Sequence, residues 1–180
     1  PERLPPLFAR LAGFARAKLA SDRRYRDRNP ELVDRGLAWM EEQRARPFLL
    51  WLHFMSPHDP YDPPAELWDE RGYAGRLPRA HYAPSHEGPN EVYLRRGWTV
   101  FDERDREHVT RLYDAETRGV DRELGRLFRA LESRGLLEST IVVLLSDHGE
   151  ELWDHGDFYH GHSLHRELCE VPWLIRAPQL

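Results

Sequence analysis

Two short apolar runs, each stopping abruptly at charged and imidazole side chains, constrain this chain more than any other feature. Residues 48–54 (FLLWLHF) and 140–146 (TIVVLLS) are apolar on both faces of an extended backbone. That pattern predicts strands buried inside a sheet with helices packed over both sides. Between them, residues 104–134 take up a helical period, with Val109, Leu112, Tyr113, Val120, Leu124, Leu127, Phe128 and Leu131 on the apolar face. Gly119 weakens that helix locally, and Gly135 is its C-terminal stop. Residues 171–175 supply a third candidate strand. The order helix, strand, long loop, helix, strand implies βαβ crossovers. The expected fold class is therefore α/β, with a mainly parallel sheet and helices on both faces.

The flanking segments are less informative. Leu7, Phe8, Leu11, Phe14, Ala15 and Leu19 have helical spacing, so residues 1–28 read as a peripheral amphipathic helix and a basic linker. Asn29 reads as an N-cap with Pro30 at the first helical position, opening a helix to about Arg44. Residues 65–105, rich in Gly, Pro, Trp and Tyr, form a loop or lid excursion without a period. Trp68, Tyr73, Tyr82, Arg95 and Trp98 are its candidate ligand contacts, with packing as the alternative. The chain opens Pro1-Glu2 with no leader pattern, which reads as a processed product or part of something longer.

Composition removes several function classes. The 180 residues carry 26 basic and 31 acidic side chains, a net charge of -5, which disfavours a general nucleic-acid binder. No apolar run approaches the roughly 20 residues needed to span a bilayer. The single cysteine, Cys169, excludes an intramolecular disulfide and reads as a core residue in the helix before the last strand.

The chemistry collects at the strand ends, where α/β folds place their sites. Asp147 and His148 follow the second apolar strand directly. Carboxylate oxygen and imidazole nitrogen are ligands for Zn²⁺ or Mn²⁺; a helix-capping turn is the competing reading. His155, His160, His162 and His165 follow within eleven residues, interleaved with Gly156 and Gly161. Glycines beside histidines favour a loop whose backbone comes close to a small ligand. After the first strand, Pro57 and Pro60 hold His58, which reads either as a donor to an anionic oxygen or as a turn residue. Ser56 and Asp59 read as turn formers, Tyr61 and Asp62 as loop structure, and His53 as a core histidine.

Three segments carry a family resemblance. Residues 47–64 (PFLLWLHFMSPHDPYDPP), 113–137 (YDAETRGVDRELGRLFRALESRGLL) and 140–164 (TIVVLLSDHGEELWDHGDFYHGHSL) resemble the sulfatases of the alkaline-phosphatase superfamily, in the family's order. The resemblance implies an alkaline-phosphatase-like fold, incomplete at the N-terminus, with residues 1–180 forming part of a catalytic domain. It implies that Asp147 and His148 ligate one divalent metal ion, Mn²⁺, Ca²⁺ or Zn²⁺. Histidine at 148 is more similar to phosphonate monoester hydrolases and lipoteichoic-acid synthases than to calcium sulfatases, many of which carry asparagine there. His58 and His162 match the histidines that contact the transferred group and steady the oxyanion or leaving group.

The departures are equally definite. Sulfatases use a formylglycine made from Cys or Ser in a C/S-x-P-x-R motif, which the 180 residues do not contain. Around Cys169 the proline falls one place too late. Position 54 is Phe54, where a second metal would need an aspartate four residues before His58, so one ion is expected. The resemblance implies hydrolysis of a sulfate ester of a small molecule or glycan. The alternatives are a phosphodiesterase, a phosphonate monoester hydrolase, a phosphoglycerol-transferase-like enzyme, or a non-catalytic fragment. Substrate, oligomeric state and compartment are left open.

Overall fold

The computed structural model describes residues 15–20 (backbone only), 28–58, 61–68, 73 and 101–178. Strand β1 (Ala15–Ala20) leads to helix α1 (Asn29–Glu42) and strand β2 (Phe48–His53). β1 pairs with β2 in parallel, Ala15 opposite Phe48 and Ala20 opposite His53, so the first three elements form a βαβ unit. This corrects the helix expected across residues 7–19, at least over its end: residues 15–20 are a strand. Residues 7–14 lie outside the described residues. α1 also starts one place earlier than expected. Arg28 is its boundary residue and Asn29 lies inside the first turn, followed by Pro30.

Helix α2 (Glu103–Ser133) is the mechanical centre. Asp102 accepts from the Asp105 amide at 2.9 Å, and Asp105 accepts from the Asp102 amide at 3.3 Å, a reciprocal cap that fixes its start. It ends at Gly135 (φ 67), where the Leu136 amide donates to Leu131 O at 2.9 Å. That left-handed residue is one glycine adopts without a Cβ clash. Leu127 and Leu131 pack with Val33, Leu37 and Met40 of α1, over Phe48, Leu50 and Leu52 of β2. Gly36 lets α1 sit close, since a Cβ there would lie 2.9 Å from Leu52 Cδ2. About four turns nearer the start of the helix, Val109 and Leu112 pack with Tyr61, Phe101 and Phe158. One apolar stripe thus serves two clusters, and the second underlies the strand-end loops.

Past α2 come strand β3 (Val142–Leu145), the short hairpin β4 (Glu151–Leu152) and β5 (Phe158–Tyr159), helix α3 (Arg166–Cys169) and strand β6 (Trp173–Arg176). β6 returns antiparallel to β3, with Leu145 opposite Trp173, and β4–β5 is antiparallel too. The mainly parallel sheet is not what the described residues show, because only β1–β2 is parallel. The expectation of burial on both faces is corrected as well. Phe48, Leu50 and Leu52 face the helices, but Leu49 and Trp51 are 57% and 59% exposed. Val143 and Leu145 are exposed likewise, and the consecutive exposed residues Trp173 to Ile175 leave both faces of β6 uncovered among the described residues. An apolar run records that a face avoids water, not which segment covers it. Among the described residues, no helix is long and apolar enough to cross a membrane.

Candidate active site

The ends of β2 and β3 converge. After β2 the chain turns, and the His58 amide donates to Met55 O at 2.8 Å. After β3, the Ser146 hydroxyl donates to His148 O at 2.7 Å and the His148 amide donates to Asp147 Oδ1 at 3.1 Å. His148 Nδ1 lies 2.7 Å from Gly149 O. A carbonyl only accepts, so Nδ1 carries the proton and the neutral ring keeps its lone pair on Nε2. Asp147 is well exposed, and its Oδ1 is 3.8 Å from His148 Nε2, close enough for the two to bracket one ion.

His160 completes the cluster. Its ring centroid is 4.1 Å from that of His148 and 5.0 Å from that of His58, and the His58–His148 separation is 6.2 Å. One nitrogen from each of the three rings lies within 4.8 Å of the others. His160 Nδ1 faces Glu150 Oε1 at 2.9 Å, and Glu150 Oε2 accepts from the hydroxyl of fully buried Tyr61 at 2.8 Å. A carboxylate behind an imidazole fixes ring orientation and leaves Nε2 for the site. Burial first, and then the charge of Glu150, pushes the Tyr113 hydroxyl up from its ordinary value. Tyr159, stacked on His160 at 4.1 Å, has φ 88. A non-glycine residue there costs about 1–3 kcal/mol, and such strain collects at functional sites.

The sequence set His162 opposite His58; the structure puts His160 there instead. His162 Nε2 is bound to Glu151 Oε2 at 2.8 Å, and both side chains are buried. Glu151 Oε1 also accepts from the amides of His155 and Asp157, at 3.1 and 2.9 Å. Burial alone would raise the Glu151 carboxyl, but hydrogen bonds from His162 and those two amides hold it below the usual range. The Glu151–His162 pair therefore ties down the loop that carries His160. Gly149 ties the same loop to α3: its amide donates to Leu168 O at 3.0 Å, and a Cβ there would sit 1.9 Å from Glu167 O.

The remaining candidates fall elsewhere. His53 is half-buried at the end of β2, its ring 6.2 Å from Trp51. Tyr61 is core and Glu150 partner, rather than loop filler. The Asp62 amide is held by buried Glu116 at 2.8 Å. Trp68 and Tyr73 pack against His108, and Tyr73 donates to Asp105 at 2.7 Å. Cys169 lies in α3 as expected but is exposed, which corrects its reading as a core residue. His155 and His165 stack on each other, apart from the strand-end cluster. Asp59, Tyr82, Arg95 and Trp98 lie outside the described residues. The sequence reading placed His160 in the histidine cluster without singling it out, and it did not name Glu150 as a site residue. Their signal was the Glu150-Glu151 pair after the strand: consecutive side chains on extended backbone point to opposite sides. One glutamate therefore faces His160 and the other His162.

The chain resembles known proteins in both sequence and fold. The chain is 29% identical over 175 residues to arylsulfatase K of Rattus norvegicus, covering 87% of this chain and 31% of that protein. It thus spans about a third of the length of that relative. A solved structure described as BT4656 in complex with its substrate D-glucosamine-2-N,6-O-disulfate superposes with TM-score 0.68 at 19% identity, over 97% of this chain and 55% of the other. The phosphonate monoester hydrolase of Silicibacter pomeroyi superposes with TM-score 0.65 at 23% identity, over 86% of this chain and 33% of the other. These two likenesses establish an alkaline-phosphatase-like fold. The family model for sulfatases matches residues 8–180, and with an imidazole cluster at the ends of two apolar strands, the chain belongs to the sulfatase family.

Proposed function

We propose that the chain supplies the metal-binding and anion-binding half of a metal-dependent sulfuric ester hydrolase. The observation that carries this reading is the convergence of His58, His148 and His160 within 4.8 Å. The donor set suits a divalent ion: Asp147 offers an exposed oxygen, and His148 offers Nε2 with its other nitrogen tied to a carbonyl. Asp147 and His148 would hold the ion, and the imidazole at 148 favours a transition ion, Zn²⁺ or Mn²⁺, over Ca²⁺, which prefers six or more oxygens. When bound, the ion supplies Lewis acidity toward the sulfuryl oxygens and the attacking group. His58 and His160 face the transferred group; a ring in its doubly protonated form donates its free N–H to an equatorial oxygen, and one such ring gives that proton to the departing oxygen and is left neutral. Glu150 holds His160 in the orientation this needs. The attacking group comes from a segment beyond these 180 residues, in keeping with the third of the relative's length that the chain spans.

Sulfated sugars are the proposed substrate class, supported by the disulfated glucosamine in the BT4656 structure. Histidine at 148 and the phosphonate monoester hydrolase neighbour favour phosphodiesters or phosphonates as the second reading. The test assays the full-length protein on aryl sulfates, phosphodiesters and phosphonate monoesters, before and after chelation and metal add-back. Sulfate-ester turnover lost on chelation and restored by Mn²⁺ or Zn²⁺ is expected. Faster turnover of the phosphorus esters installs the second reading. No metal-dependent turnover of any of the three contradicts both.

A further inference from the structure

We propose that His155, His165 and Glu167 form a second divalent transition-metal site, separate from the strand-end cluster and independent of the hydrolase reading. The three residues come from two elements locked together. His155 lies in the β4–β5 turn, its amide held by buried Glu151 at 3.1 Å. His165 and Glu167 bracket the start of α3, whose Leu168 carbonyl accepts from the Gly149 amide at 3.0 Å. His155 Nδ1 is 2.5 Å from Glu167 Oε1, and the His155 and His165 rings stack at 3.8 Å with 6° between their planes. A ligand atom from each of the three lies within 4.8 Å of the other two.

Four ligands around an ion at about 2.1 Å stand roughly 3.4 Å apart in a tetrahedron. The His155–Glu167 spacing lies below that value, and all three ligand atoms lie within 4.8 Å of one another. Closing on an ion needs His155 and Glu167 to part slightly and the stacked rings to fan, which the half-exposed His155 side chain permits. Two nitrogens with one carboxylate oxygen select Zn²⁺, Ni²⁺ or Cu²⁺, and a fourth position stays open to water. Ca²⁺ and Mg²⁺ require oxygen-rich, higher-coordinate sites and are not accommodated. None of these three residues belongs to the imidazole cluster.

Calorimetric titration of the full-length protein with Zn²⁺ tests this, using His155→Asn, His165→Asn and a His58→Asn/His148→Asn/His160→Asn triple variant. Circular dichroism verifies folding; His155 and His165 are both exposed. The triple variant should keep one equivalent, undisplaced by millimolar Ca²⁺. His165→Asn should lose that equivalent or weaken it at least tenfold. Electron paramagnetic resonance of Cu²⁺ in the triple variant should show coupling to two imidazole nitrogens, reduced to one when His165→Asn is added. Unchanged stoichiometry and affinity in both single variants, displacement by Ca²⁺, or a copper spectrum indifferent to His165→Asn would overturn the proposal.

Discussion

Glu150 and Glu151 are neighbours that face opposite ways, and the two histidines they hold divide the work. Glu150 orients His160 in the cluster, while Glu151 pairs with His162 beneath it. His160→Ala should lower kcat/KM about 100-fold or more, with the melting temperature nearly unchanged. His162→Ala should do the reverse first. It leaves buried Glu151 short of its main donor and costs about 1–3 kcal/mol of stability. Kinetics and thermal melts on the two variants check this division. A pH prediction follows from Glu151, whose carboxyl is held below its ordinary 4.5. A depressed carboxylate contributes stability that is complete above the unfolded value and is lost as pH falls through the lower, folded value. Glu151→Gln should therefore be less stable at pH 7 and show a flatter loss of stability below pH 4.5, read by denaturant melts across pH. The sequence made Asp147, His148 and His58 legible, because strand ends are where such side chains gather. Among the four clustered histidines it chose His162, by resemblance, where the ring beside His58 and His148 is that of His160. The placing of His160 depends on a strained Tyr159 and a buried carboxylate, neither of which has a periodic signature.

At the scale of elements, the loop that carries His148 is clamped between β3 and α3. A Cβ on Gly149 would overlap backbone rather than a movable side-chain tip, at 1.9 Å from Glu167 O. Gly149→Ala should cost about 1–3 kcal/mol and displace His148 as well. Melting temperature and metal affinity should therefore both fall in the same variant. Helix α2 and strands β2, β3 and β6 were readable from period and apolar runs. β1 was not: Ala15, Leu19 and their neighbours fit a helical stripe, and the parallel pairing with β2 overrode it. The antiparallel return of β6 was unreadable too, because no local pattern records which neighbour a strand joins.

For the molecule as a whole, the uncovered apolar sides of β2, β3 and β6 matter most. Leu145 and Trp173 are 61% and 73% exposed and face each other across the ladder. Residues 1–180 produced alone should self-associate, and Leu145→Lys with Trp173→Lys should shift them toward monomer in sedimentation velocity. The central claim is that His148 and Asp147 hold one divalent ion with His58 and His160 turned toward its anion. Anomalous diffraction from crystals of the full-length protein grown with Mn²⁺ tests this most directly. The account predicts a peak about 2.1 Å from His148 Nε2 and an Asp147 oxygen, with His58 and His160 facing it. No peak at these two side chains in fully loaded crystals would contradict it.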